Sequence, residues 1–192
     1  MTSSTAKDFI SLSTGPAGRA MAHPMDRDLV EAFQQHLTLE RKASAAYFAI
    51  AIWFAERELR GFSQFFKLEA QNEQLHASTF ADYLIARGQT VALDDVLAPR
   101  QDWISEEEIM AASFTMEAEV TASLHQLYAM AERATDTRTN VFLDPIIDNQ
   151  VEAENQFAYL LGRVKYAQSQ PSAMLIIDSE LNDGNDKPAK LG

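Results

Sequence analysis

The sequence predicts an all-α chain folded as an antiparallel four-helix bundle with a long crossover between its second and third helices. Three observations carry that prediction. Four separate stretches repeat apolar residues every three or four positions. An irregular span of about 15 residues, Gln89 to Trp103, divides them two and two, and a connection of that length can cross a bundle from end to end. No stretch alternates as a strand would, and there is no internal repeat.

The 192 residues are 46% hydrophobic and 23% charged, which fits one globular core. Residues 1–24 read as a flexible extension, rich in Ser, Thr, Gly and Ala and without the contiguous apolar run of a secretory signal. The first helix runs from about Met25 to Leu59, with Leu29, Phe33, Leu37, Ser44, Tyr47, Ala51 and Phe54 on one face. Gly61 breaks that pattern. The second helix carries Phe62, Phe66, Glu69, Glu73, His76, Phe80 and Tyr83 and stops at Gly88. Ser105 and Glu108 form a capping box for the third, whose stripe is Met110, Phe114, Glu117, Val120, Leu124, Leu127 and Ala131. The Thr-rich stretch from Ala134 to Asn140 reads as a turn, and the fourth helix follows with Leu143, Ile147, Gln150, Ala153, Phe157, Leu161 and Val164. Pro171 ends it. A short apolar piece, Ala173 to Leu181, closes a domain spanning 25–182, and 183–192 read as a disordered tail.

Composition narrows the chemistry. Sixteen basic residues against 28 acidic leave a net charge of −12, which argues against nucleic acid or an anionic membrane as partner and suits cations. The longest apolar run, Ala43 to Ala55, falls short of the roughly 20 residues a membrane span needs. With no cysteine, carboxylate and imidazole are the strong metal ligands on offer, those of non-haem iron, manganese and zinc.

Each apolar stripe holds polar groups near its middle: Glu40, then Glu73 with His76, then Glu117, then Gln150. Glu73 and His76 stand three apart, so a helix stacks them on one face, the Glu-x-x-His arrangement of di-metal bundles. An unpaired buried carboxylate costs several kcal/mol, and no Lys or Arg lies on these stripes. Two divalent cations bridged by Glu73 would neutralise the set, with Glu40 and His76 on one and Glu117 on the other. The competing reading has each Glu at a stripe edge reaching solvent. Tyr47, two turns after Glu40, is a core aromatic, a phenol beside the metals, or both. Glu69, one turn before Glu73, is an outer carboxylate, a step on an inward metal path, or simply solvated. His36 and His125 are read as ordinary core or surface histidines outside the site.

The chain resembles the non-haem ferritins of the heavy-chain-like, prokaryotic type. The resemblance rests on Leu39-Glu40 with Tyr47, Phe65-Phe66 leading to Asn72-Glu73-Gln-Leu-His76-Ala77, Glu117-Ala-Glu-Val-Thr, Asn149-Gln150, and Leu175-Ile-Ile-Asp178-Ser-Glu180-Leu181, and covers about Asp26 to Leu181. It implies a ferritin-like bundle with a short C-terminal fifth helix, a homo-oligomeric cage of 24 subunits, and a cytoplasmic iron-storage role. A di-iron ferroxidase centre would oxidise Fe(II) with O2 or H2O2 and pass Fe(III) to a mineral. By the resemblance Glu40 and His76 bind the first iron, Glu73 bridges, and Glu117 binds the second, with Tyr47 and Gln150 beside them. Asp144 and Asp148 would line channels between three subunits and hand iron inward to Glu69; the local alternative makes Asp144 an N-cap before Pro145. No haem is expected, since Gln74 follows Glu73 directly and the fourth helix has Gln150 and Ala153 where a haem-binding relative carries a second Glu-x-x-His. Ala153 also stands where many bacterial ferritins place a Glu that binds a third iron, so the resemblance does not extend to that third site. Two other readings remain: a di-iron oxygenase or peroxidase, which usually carries two Glu-x-x-His motifs, and a metal-free helical assembly protein.

Overall fold

The computed structural model describes residues 13–16 and 18–184; the rest of the expected extension and tail lies outside the described residues. Five helices follow a small hairpin: α1 (Arg27–Ala55), α2 (Arg60–Ala86), α3 (Glu106–Arg133), α4 (Thr137–Ala167) and α5 (Pro171–Asn182). α1 packs along α2 and α3 along α4, so each short connection makes a helical hairpin. The crossover lies along α1. Ala92 N donates to the Gln34 side chain, Arg41 Nη1 donates to the Asp94 carbonyl, and Pro99 and Gln101 line one surface pocket with Trp53 and Glu56.

Helix ends differ from the sequence reading in four places. α1 stops at Ala55, ahead of Gly61, because Glu58 takes a left-handed turn (φ 60°). Gly61 instead lies in the first turn of α2, where a β-carbon would fall 1.7 Å from the Asp178 carbonyl oxygen. α5 thereby reaches α2 closely enough for the Asp178 carboxylate to accept from Phe62 N (2.9 Å), capping a helix whose own N-cap residue makes no such bond. α4 begins at Thr137, inside the stretch read as a turn. The Asp136 carbonyl takes the Thr139 and Asn140 N–H groups there, and Pro145 sits within the helix. Asp144 is therefore not an N-cap. Pro171 opens α5, its ring at the first helical position, and α4 has already ended at left-handed Gln168 and Ser169. The capping box of α3 is also modified: Ser105 Oγ accepts from Glu108 N (3.1 Å), while the Glu108 carboxylate reaches Ile104 N (2.9 Å).

The segment expected as a flexible extension carries local structure from Ser13 onward. β1 (Ser13–Thr14) pairs antiparallel with β2 (Ala20–Met21). Arg19 donates to the Ile85 carbonyl, and Met21 packs on Gly88, whose φ of 78° and missing side chain leave room for it.

The core is split in two. One half gathers Tyr47, Ile50, Phe54, Phe62, Phe66, Met110, Phe157 and Leu160, with Met174 and Ile177 of α5. The other gathers Leu29, Phe33, Leu37, Phe80, Leu84, Leu124, Leu127 and Leu143. Burying each such side chain contributes about 1.5–3 kcal/mol, so both halves are held firmly and the layer between them inherits rigid walls. That layer is polar.

Candidate metal centre

Glu40 from α1, Glu73 from α2 and Glu117 from α3 are 1%, 4% and 3% exposed. The stripe-edge alternative is thus excluded for all three. Gln150 of α4 is buried with them, and His76 joins from α2 with its side chain 48% exposed. Glu40, Glu73 and His76 each offer a ligand atom within 4.8 Å of the others, the one such group of three found among the described residues. His76 Nδ1 lies 3.0 Å from Glu73 Oε2 and 3.9 Å from Glu40 Oε2. Glu117 stands outside that triangle. Tyr47 OH donates to its Oε1, and Gln150 Nε2 donates to its Oε2 (2.9 Å) and to its main-chain carbonyl (3.2 Å). Tyr47 is fully buried and stacks on Phe157 with ring centroids 5.4 Å apart, so its phenol is aimed and not free.

This layer has no Lys or Arg counter-ion: among the described residues none forms an ion pair with Glu40, Glu73 or Glu117. Burial pushes all three carboxyls above their ordinary value, Glu73 to about 7. Burial and then the neighbouring charges of Glu73 and Glu117 push half-buried Glu69 to about 7 as well, which places it in the field of the site. The hydrogen bond to Glu73 raises His76. Glu40 Oε2 has no hydrogen-bond partner. A buried carboxylate oxygen facing an imidazole and a second carboxylate is the donor set a divalent cation satisfies.

Asp144 and Asp148 are exposed on α4 and are not gathered into this layer. Asp144 instead borders a surface groove with His125, Tyr128, Glu132 and Ile147, where its charge raises the Tyr128 phenol.

One member was missed. His36 is fully buried, its Nε2 2.9 Å from Glu40 Oε1 and its Nδ1 2.8 Å from Ser123 Oγ. Burial and the charge of His76 pull it down to about 3, so the ring is neutral. The signal was present in the four-residue step from His36 to Glu40, which puts both on one face. What hid it was that Ser123, the partner that marks it as more than filler, lies on another helix.

Comparison with known proteins agrees with this architecture. Residues 30–167 match the family model described as a ferritin-like domain. The chain belongs to the ferritin-like family. It is 29% identical over 157 residues to a bacterial non-heme ferritin of Staphylococcus aureus, covering 82% of this chain and 95% of that one. A Staphylococcus epidermidis protein of the same name is 30% identical over 133 residues, covering 69% and 80%. Among solved structures, an open pore ferritin from the hyperthermophilic archaeon Archaeoglobus fulgidus superposes with a TM-score of 0.81 at 28% identity, covering 83% of this chain and 98% of that one. The ferritin-like bundle and its short fifth helix are those the sequence implies. No helix among the described residues is long and apolar enough to cross a membrane.

Proposed function

We propose that this ferritin-like chain is an iron-storage ferritin that oxidises Fe(II) at a di-iron centre inside each subunit. The observation that carries the reading is the buried group of Glu40, Glu73 and His76 with Glu117 beside it, three carboxylates with no Lys or Arg to neutralise them and His76 as their one raised imidazole. Iron is the substrate. Glu40 and His76 hold the first ion, Glu73 bridges, and Glu117 holds the second. Two Fe(II) ions each give one electron, which together with two protons reduce O2 to H2O2, or H2O2 to two waters. The role of the protein is placement: rigid apolar halves above and below fix the ligands, and Gln150 and Tyr47 orient Glu117.

Storage requires a container. Phe48 and Ile52 on α1 and Leu175 and Ile176 on α5 are 55%, 45%, 59% and 57% exposed, apolar surface suited to contacts between copies. A 24-subunit homo-oligomer that keeps ferric mineral in its cavity follows as the proposed assembly. Glu69, half-buried and one turn from Glu73, suits the last step of an inward iron path, with exposed Asp144 and Asp148 as its outer steps. That route predicts slower uptake in Asp144→Asn and Asp148→Asn; unchanged uptake in both removes it.

Crystals exposed to Fe(II) and measured at the iron absorption edge test the centre. Two anomalous peaks bounded by Glu40, Glu73, His76 and Glu117 are expected. Iron confined to the outer surface would overturn the reading.

A further inference from the structure

The histidine that the sequence reading left aside occupies an unusual position. His36 is gripped from three helices: α1 carries it, Phe80 of α2 packs on its ring with centroids 4.3 Å apart, and Ser123 of α3 meets Nδ1 at 2.8 Å. Its other nitrogen lies 2.9 Å from Glu40 Oε1, yet the approach is out of line for a hydrogen bond. Two fully enclosed polar atoms, His36 Nε2 and Glu40 Oε2, therefore lack hydrogen-bond partners side by side. Buried polar groups are rarely left so, and a pair of them at a candidate metal ligand asks for an explanation.

We propose that His36, locked by Ser123, is a positioning residue that holds Glu40 Oε1 and so presents Oε2 to the metal. The inference rests on the metal-centre reading above. With the Ser123 hydroxyl as donor to Nδ1, the tautomer this proposal assigns, the single ring proton lies on Nε2, facing the carboxylate. Glu40 Oε2, the oxygen 3.9 Å from His76 Nδ1, is then the one left for the cation. A cation held by Glu40, Glu73 and His76 would take Glu40 Oε2 and leave Oε1 to the Nε2–H of His36, so that both orphaned atoms would gain a partner. His36 thus acts on the metal through Glu40, as outer partners commonly do for ligating groups. His76, half-exposed and bonded to Glu73, takes the metal directly. The two histidines divide the work by depth.

The test uses the purified full chain freed of metal, kept anaerobic and titrated with Co(II) and Zn(II), neither of which needs oxidation to report. Calorimetry gives affinity, and the visible Co(II) spectrum reports ligand geometry. His36→Phe keeps the ring against Phe80 and removes both nitrogens; it is expected to weaken the tightest site by about 10–100-fold and alter the Co(II) spectrum. His36→Gln, which restores a neutral N–H donor, should recover most of that affinity, and Ser123→Ala should lose less than His36→Phe in the same direction. Wild-type affinity and spectrum in His36→Phe overturns the proposal, as does failure of the glutamine to improve on phenylalanine. Should His36→Phe not fold, Ser123→Ala decides, and an unchanged spectrum there overturns it. Glu73→Ala separates this from the underlying reading: if it binds Co(II) as well as wild type, the metal centre itself is wrong. If Glu73→Ala loses binding and the His36 and Ser123 variants do not, only the role of His36 fails.

Discussion

Two buried polar layers in this bundle solve the problem of charge in opposite ways. At the far end of α2, Arg87 donates to Asp136 Oδ2 (2.7 Å), Asp136 Oδ1 (3.2 Å) and Thr139 Oγ1 (3.0 Å), all buried, and to half-buried Tyr83 OH (2.6 Å). Burial alone would lower Arg87, but the bonds to Asp136 and Tyr83 hold it above its ordinary value. Burial would raise Asp136, yet Arg87 holds it below. In the middle of the bundle, Glu40, Glu73 and Glu117 are buried as deeply with no such counter-ion, and every one is raised. The contrast shows that this fold can neutralise a buried carboxylate when stability is the purpose. Three buried carboxylates without a Lys or Arg partner cost stability in the metal-free chain, a cost that the proposed metal centre accounts for.

Glu73→Ala separates the two layers most sharply. Rapid Fe(II) oxidation should fall by more than the roughly 10–100-fold typical of losing an outer hydrogen-bond partner, because the proposed centre makes Glu73 the ligand shared by both ions. The metal-free variant should be as stable as wild type or more so. Stopped-flow absorbance after mixing with Fe(II) and O2, with a parallel melt, reads both; a wild-type rate would sink the assignment.

Arg87→Met makes the reverse prediction. It strands Asp136 and should destabilise by about 3–5 kcal/mol, lowering Tm by on the order of 10 °C, without touching metal binding. A melt within error of wild type would mean that the ion pair contributes little, and a lost metal site would mean that the two layers are coupled.

Stability against pH should carry opposite signs in the two layers. Glu73 has a folded pKa of about 7, above its ordinary 4.5, so its contribution is fully present below the ordinary value and is lost as pH rises through about 7. Asp136 is held below its ordinary 3.8, so its contribution is present above that value and is lost as pH falls through the depressed one. Melts of the metal-free protein should therefore decline between about pH 5 and 8 and flatten in Glu73→Gln, while saturating Zn(II) should abolish the decline. A flat metal-free profile over that range removes the argument from buried carboxylates without a Lys or Arg partner.

The smallest expected effect is that of Tyr47→Phe. The phenol donates to Glu117, a bond worth about 1 kcal/mol, and the proposed centre makes it a neighbour and not a ligand, so the number of bound ions should not change. Oxidation kinetics should. Unchanged kinetics and no tyrosyl signal by electron paramagnetic resonance would make Tyr47 a core aromatic only.

The helices and the inward carboxylates were legible because both follow from local periodicity: a residue's face on a helix is set by its place in a 3.6-residue repeat, so Glu40, Glu73, Glu117 and Gln150 could be placed inward before any contact was known. The same locality explains the errors. Asp144 before Pro145 has the form of a helix start, but Asp136, held by Arg87 from α2, starts α4 earlier and leaves Pro145 inside it. Gly61 reads as a break, yet it serves the approach of Asp178 from α5, which supplies the cap that α2 lacks. His36 reads as an ordinary histidine until Ser123 of α3 and Phe80 of α2 close around it. By itself the sequence determined the repeat, the face and the charge that each helix brings to the core. Only the tertiary structure decided which groups meet across helices separated by tens of residues, because hydrogen bonds and desolvation depend on distances that no local pattern encodes.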